Sequence, residues 1–136
     1  MHTTTAIQAP SRKINALLWT LQAGLSLLFL FAGGMKFVMS AAELGQGPLP
    51  VAFIRFIGVA EVAGALGLVL PGALRIHREL TSLAAAGLAF IMVGATVLTA
   101  SGGIGAAAFP AVVGVLSAFV ALKRWEPVRR AALAQA

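Results

Sequence analysis

The chain has 136 residues, of which 60% are hydrophobic and 10% are charged, and its mean hydropathy is +0.96. Because soluble domains carry about a quarter charged residues, this composition excludes an ordinary soluble domain. The absence of cysteine excludes disulfides, dithiol redox chemistry and thiolate metal sites. The formal charge of +6 lies in short basic clusters between apolar runs, which indicates membrane topology rather than nucleic-acid binding.

Four apolar runs are long enough to cross a hydrocarbon layer of about 30 Å. They span about residues 14–38, 51–70, 80–100 and 104–122. A polar tail (1–13) precedes them, and the first run exceeds the apolar core of a signal peptide, which predicts a retained helix. We expect Pro71-Gly72 to end the second helix and residues 123–127 to end the fourth. A basic tail (123–136) follows, and its residues 128–136 are expected either to continue as a surface helix or to be disordered.

Lysine and arginine are distributed unevenly between the two sides of these spans. Two of them, Lys36 and Arg55, lie on one side. The other eight lie on the opposite side: Arg12, Lys13, Arg75, Arg78, Lys123, Arg124, Arg129 and Arg130. Since cytoplasmic loops collect basic residues, both termini are predicted to be cytoplasmic.

Small residues at helical spacing recur in every run and mark helix contacts in lipid. We therefore predict an all-α, integral membrane, antiparallel four-helix bundle in the inner (plasma) membrane.

Three ionisable side chains lie inside these runs or at their ends. Glu61 is near the middle of the second run, Arg55 lies nearer its outer end, and Lys36 ends the first run on that same side. Each requires a partner or a function, because an ionised group in a span costs about 2.5–3.5 kcal/mol. Lys36 is the expected partner of Glu61, since the six-residue separation places Arg55 about 240° around the helix axis. The alternative is structural: a buried pair that fixes helix register, or basic side chains that reach the interface.

These groups predict a polar site in the outer half of the bundle, with Glu61 as the candidate catalytic acid or base. Lys36 and Arg55 are candidate ligand-binding residues beside it, and Gly33 leaves room for a neighbouring helix or a ligand. Weaker polar candidates are Gln22, Ser26, Thr96, Thr99 and Ser117, although hydroxyls in membrane helices commonly bond their own backbone. No histidine lies in a span and no metal-ligand cluster is present, so neither haem nor a metal site is expected.

Two stretches carry recurring motifs. Residues 31–37 (FAGGMKF) place small residues before a lysine, and residues 56–68 contain Gly58 and Glu61 in a Gly-x-x-Glu pattern. Together with Leu70-Pro71-Gly72 and residues 89–96, they resemble the DoxX-like family of small four-helix membrane proteins, over about residues 17–122. Many relatives carry a histidine after this last stretch, where the chain has Val97-Leu98-Thr99-Ala100. The resemblance adds Gly58 to the candidate ligand-binding residues.

The resemblance implies an accessory subunit that binds a quinone or a similar lipid beside a redox protein in the cell envelope. The family takes its name from a membrane subunit associated with thiosulfate:quinone oxidoreduction. A shared fold does not by itself establish a function, and two other classes of function stay open. One is a small proton-coupled transporter or exporter, which usually needs a central membrane carboxylate. The other is a membrane enzyme, such as an isomerase, that uses Glu61 on a hydrophobic substrate.

The expected partners follow from these interpretations. They are the lipid bilayer, a redox protein or a second copy of the chain, and a lipid-soluble small molecule, while nucleic acid is not expected. Small multidrug exporters also have four helices, but their essential glutamate lies in the first helix, where this chain has no acid.

Overall fold

The computed structural model describes residues 11–136 and is helical almost throughout that part of the chain. Its helices are α1 (Arg12–Val38), α2 (Ala41–Leu44), α3 (Val51–Leu74), α4 (Glu79–Thr99) and α5 (Ile104–Gln135), with a 3₁₀ turn over Ala100–Gly102. By length and composition, α1, α3, α4 and α5 can each cross a membrane. The prediction of an all-α bundle of four membrane-length helices is confirmed. Most of the predicted N-terminal tail lies outside the described residues, and α1 already begins at Arg12.

The predicted end of the second span is wrong, because α3 continues through Pro71 to Leu74. A proline removes only one bond of the helical ladder and does not by itself stop a helix near its end. The helix stops where Arg75 adopts a left-handed conformation with φ of 56°. The amides of Arg75 and Ile76 then bond to the carbonyls of Gly72 at 3.3 Å and Pro71 at 3.0 Å.

The break predicted at residues 123–127 is also wrong, because α5 continues through them to Gln135; of the two alternatives for residues 128–136, the helix is therefore the one observed. Its 32 residues correspond to about 48 Å at 1.5 Å per residue, against a hydrocarbon thickness of about 30 Å. The C-terminal part therefore extends beyond the apolar layer. Water there can bond the carbonyl that Pro127 leaves without a donor, so the proline is tolerated within the helix.

The short helix α2, which the sequence did not predict, lies in the loop between α1 and α3. The backbone N–H and the hydroxyl of Ser40 each donate to Glu43 Oε2 at 2.8 Å, and Glu43 N–H donates to Ser40 Oγ at 3.3 Å. This capping box starts the helix. The backbone bond from Ser40, and then its hydroxyl, hold the pKa of Glu43 below its ordinary value.

Consecutive long helices pack against each other in antiparallel order. Helix α1 packs on α3, α3 on α4 and α4 on α5, while lighter contacts between α5 and α1 close the bundle. The buried core is apolar: Leu18, Leu25, Phe29, Ala65, Leu68, Ala85, Leu88, Met92, Val113, Val120 and Ala121. Many large apolar side chains face outward instead, among them Phe90, which is 80% exposed. This arrangement suits lipid, where apolar side chains need no burial in protein.

Glycines allow the backbones of α1 and α3 to come into direct contact. A Cβ atom added to Gly33 would lie 2.8 Å from the carbonyl oxygen of Gly58, and one added to Gly58 would lie 3.1 Å from the carbonyl oxygen of Gly33. Neither position has room for a side chain unless the helices separate. This contact is therefore the close helix packing at small residues that stabilises helix pairs in lipid.

Replacing Gly64 by leucine is expected to lower the stability of the bundle by about 1–2 kcal/mol through overpacking. A Cβ atom at Gly64 would lie 2.7 Å from two carbon atoms of Leu88, a buried residue of α4. The added side chain has to displace Leu88 from the core. The measurement is the midpoint of thermal unfolding in detergent. The matched control is Gly94→Leu, where an added Cβ meets nothing within 4 Å; equal midpoints for the two variants would place Gly64 outside the helix contact.

Candidate functional site

Lys36 of α1 and Glu61 of α3 form an ion pair where the two helices meet. Lys36 Nζ lies 2.7 Å from Glu61 Oε2 and also donates to the carbonyl oxygen of Ala32 at 3.3 Å. The Glu61 side chain is 4% exposed and the Lys36 side chain is 24% exposed. The predicted pairing of Glu61 with Lys36 is confirmed.

The two glycines set the position of this pair. Gly58 lies one helical turn before Glu61, and its Cβ position is 3.1 Å from Lys36 Cβ. Gly33 lies one turn before Lys36, and its Cβ position is 3.2 Å from Glu61 Cβ. A side chain at either glycine would push one partner of the ion pair. Four of the predicted ligand-binding residues, namely Gly33, Lys36, Gly58 and Glu61, are thus brought together in the structure.

Hydrogen-bonding capacity remains on both partners. A lysine ammonium has three N–H donors, and the described residues accept from two of them, at Ala32 and Glu61. No hydrogen bond from a described residue reaches Glu61 Oε1. One donor and one acceptor therefore remain on the same pair.

Arg55 does not join this pair. It is half-buried near the start of α3, and its side chain forms no ion pair or hydrogen bond with a residue from 11 onward. The role of Arg55 in ligand binding stays a prediction.

The weaker polar candidates contact backbone rather than the ion pair. Gln22 Nε2 donates to the carbonyl of Leu68 at 2.5 Å, and Ser26 Oγ donates to the carbonyl of Ala65 at 2.8 Å. Both bonds join α1 to α3. The remaining hydroxyls bond carbonyls of their own helices, as membrane-helix hydroxyls commonly do: Thr96, Thr99 and Ser117.

A second polar cluster, which sequence reasoning missed, joins α1 to α5 at the opposite end of the bundle. We call this end, formed by the start of α1, the α3–α4 loop and the C-terminal part of α5, the basic end. Arg124 Nε donates to Gln22 Oε1 at 2.7 Å and Nη1 donates to Asn15 Oδ1 at 3.0 Å. The Arg124 guanidinium also lies 5.7 Å from the centre of the Trp19 ring. These partners are more than one hundred residues apart in sequence, so no local pattern indicates them.

An apolar groove of about 600 Å³ lies between α3 and α4. Small and aliphatic side chains of both helices line it, including Gly64, Gly67 and Leu83. It contains neither Lys36 nor Glu61, and none of the described residues that border it is titratable. These residues supply no polar side chain that could orient a ligand or react with it, so the ion pair remains the candidate site.

Comparison with known proteins identifies one family. A family model described as the DoxX-like family matches residues 20–120. The matched range contains both partners of the ion pair and both glycines of the α1–α3 contact, whereas Asn15, Trp19 and Arg124 lie outside it. No curated protein and no solved structure matches the chain.

Proposed function

The chain belongs to the DoxX-like family, and from this premise we propose that it is a membrane accessory protein for an envelope redox system. In this proposal the Lys36–Glu61 pair binds the head group of a quinone or a similar lipid-soluble molecule, and a redox protein is the partner. One observation supports it. One N–H donor of Lys36 and the acceptor Oε1 of Glu61 have no hydrogen-bond partner among the described residues.

The chemistry of a quinone head group fits this donor and acceptor. A quinone carbonyl accepts a hydrogen bond, which the third N–H of Lys36 can donate, and a quinol hydroxyl donates one, which Glu61 Oε1 can accept. Both bonds are charge-assisted and stronger than bonds between neutral groups. The same pair can therefore hold the oxidised and the reduced form of the ligand.

The surroundings also suit an aromatic head group that arrives from lipid. Lys36 is about a quarter exposed, whereas Glu61 is almost completely buried. Phe37 is 46% exposed, and its ring reaches within 3.2 Å of the Cβ position of Gly58. A flat ring that approaches Lys36 from the bilayer would meet this aromatic surface, and stacked rings add to the energy of burial.

Quinone retention by the purified protein tests this proposal. The full chain in nanodiscs is titrated with a short-chain ubiquinone, and the bound quinone is quantified by mass spectrometry. We expect Glu61→Gln and Lys36→Met to weaken binding by about tenfold each, because each removes a charge-assisted bond. The matched controls, Glu126→Gln and Lys123→Met, make the same changes in an exposed pair 3.8 Å apart at the basic end. Unchanged retention in Glu61→Gln would contradict the proposal.

We also propose that both termini face the cytoplasm and that the bilayer is the inner membrane. The support is the distribution of Lys and Arg, with eight at the basic end and two at the other. Reporter fusions at Gly45 and Ser101 are expected to report the outer side, and a fusion after Ala136 the cytoplasm. A cytoplasmic signal at Gly45 would reverse this orientation.

A further inference from the structure

Among residues 11–136, Arg124 has only neutral hydrogen-bond partners, and they lie at the basic end. Its guanidinium has five N–H donors, and the described residues accept at Nε and Nη1 through the side-chain oxygens of Gln22 and Asn15. Nη2 is buried and has no hydrogen-bond partner among residues 11–136. Buried guanidinium groups are normally matched by a carboxylate or a phosphate, whose two oxygens fit the planar fork. Arg124 therefore lacks an anionic acceptor.

The amide contacts cannot replace that acceptor. Gln22 is 1% exposed, and its Nε2 is held by the carbonyl of Leu68. Its Oε1 is thereby fixed toward Arg124 Nε. The amide orients the guanidinium but carries no negative charge. This leaves the charge of Arg124 without an opposite charge in the network.

The surrounding charges increase this imbalance. Arg78 lies in the α3–α4 loop, at the same end of the bundle, and carries a charge of the same sign. The two acids at this end point elsewhere, since Glu79 lies 3.2 Å from His77 and Glu126 lies 3.8 Å from Lys123. No ion pair from a described carboxylate reaches either arginine. Two guanidinium groups at the same end of the bundle, neither paired with a described carboxylate, thus create a positive potential that favours an anion.

The depth of Arg124 identifies where such an anion would come from. Arg124 follows Ile104, the first residue of α5, by 20 positions, which is about 30 Å along the helix. That length equals the thickness of the hydrocarbon layer. If Ile104 lies at one boundary, Arg124 lies at the other, at the level of the lipid phosphates. Trp19, which stacks on Arg124, is a residue type enriched at this interface.

We propose that Arg124, together with Arg78, binds the phosphate group of an anionic phospholipid from the leaflet at the basic end. The phosphate oxygens supply the acceptors that Arg124 lacks, and their charge offsets the repulsion between the two arginines. Because Nη2 is covered by protein atoms, the guanidinium has to turn to meet the phosphate. This turn changes its stacking on Trp19. The lipid places its phosphate at this depth at high local concentration, which a free phosphate cannot match.

Tryptophan fluorescence measures this change directly. The chain has two tryptophans, so Trp125→Phe leaves Trp19 as the single reporter. The full chain with this change is placed in nanodiscs of phosphatidylcholine that contain increasing amounts of phosphatidylglycerol. We expect a saturable change in Trp19 emission, and retention of phosphatidylglycerol in native mass spectrometry. Arg124→Gln and Arg78→Gln are each expected to weaken this binding by about tenfold.

The controls separate a built site from diffuse attraction. Arg129→Gln and Arg130→Gln remove the same charge at exposed positions of the same helix, and we expect them to retain the response. Equal losses in Arg129→Gln and Arg124→Gln would overturn the site. If Arg124→Gln does not fold, the test rests on Arg78→Gln, because Arg78 is exposed. An unchanged affinity of Arg78→Gln for phosphatidylglycerol would overturn the proposal. Inorganic phosphate added to pure phosphatidylcholine discs tests the source: a response to it, with none to phosphatidylglycerol, would overturn the lipid assignment.

Discussion

Replacing Lys36 by methionine is expected to destabilise the bundle by about 3 kcal/mol, the lower end of the range for breaking a buried ion pair. The change leaves the Glu61 carboxylate, 4% exposed, without the ammonium that lies 2.7 Å away. Glu61→Gln alone is expected to cost less, about 1–2 kcal/mol, because the long side chain of Lys36 can still reach the interface. The double variant should lose about 2–3 kcal/mol, which is less than the summed single losses of about 4–5 kcal/mol, since it buries no unpaired charge.

A double-mutant cycle on unfolding in detergent measures this coupling. We expect about 2 kcal/mol between Lys36 and Glu61, against about 0–1 kcal/mol for the exposed Lys123–Glu126 pair changed in the same way. Coupling near zero at the first pair would show that the ionic contact adds nothing to stability. The cycle also separates two roles of Glu61. If Glu61→Gln weakens quinone binding per folded protein, the carboxylate serves a ligand, whether or not stability also falls; if stability falls while quinone binding per folded protein is unchanged, the pair is structural.

The ion pair could be predicted from sequence because the cost of a charge in lipid is large. Glu61 had to have a partner, and Lys36 was the cation on another helix at a compatible level. The four spans followed equally from composition. The close approach of Gly33 and Gly58 was only suggested by small residues, because such residues are frequent in all four helices and do not indicate which face meets which neighbour.

Two features could not be predicted, for different physical reasons. Pro71 and Pro127 were expected to end helices, but the effect of a proline depends on whether the freed carbonyl finds another donor, which the sequence does not specify. The contacts of Arg124 with Asn15 and Gln22 join the two ends of the chain. In sequence Arg124 is one of several basic residues after the last span, and only the packing of α5 against α1 distinguishes it.

Replacing Gly33 by alanine is expected to destabilise the bundle by about 2–3 kcal/mol, although it adds a single methyl group. That carbon would lie 2.8 Å from the carbonyl oxygen of Gly58, 2.9 Å from Val62 Cγ2 and 3.2 Å from Glu61 Cβ. The first neighbour is backbone, which cannot turn aside as a side chain can. The two helices must therefore separate, and Lys36 must move away from Glu61.

The adjacent Gly34 provides the matched control, because a Cβ atom there meets nothing within 4 Å. Gly34→Ala is expected to be neutral or to stabilise the helix by about 0.5–1 kcal/mol, since alanine loses less backbone entropy than glycine. The midpoints of thermal unfolding in detergent compare the two variants, and equal midpoints would contradict the close approach of α1 and α3.

Repeating the Lys36–Glu61 cycle in the Gly33→Ala background tests whether the close approach of the helices also positions the ion pair. If the close approach holds the ion pair together, the coupling falls with the separation of the helices. A coupling that stays unchanged would mean that the flexible stem of Lys36 follows Glu61 and that the glycines stabilise the bundle without positioning the pair.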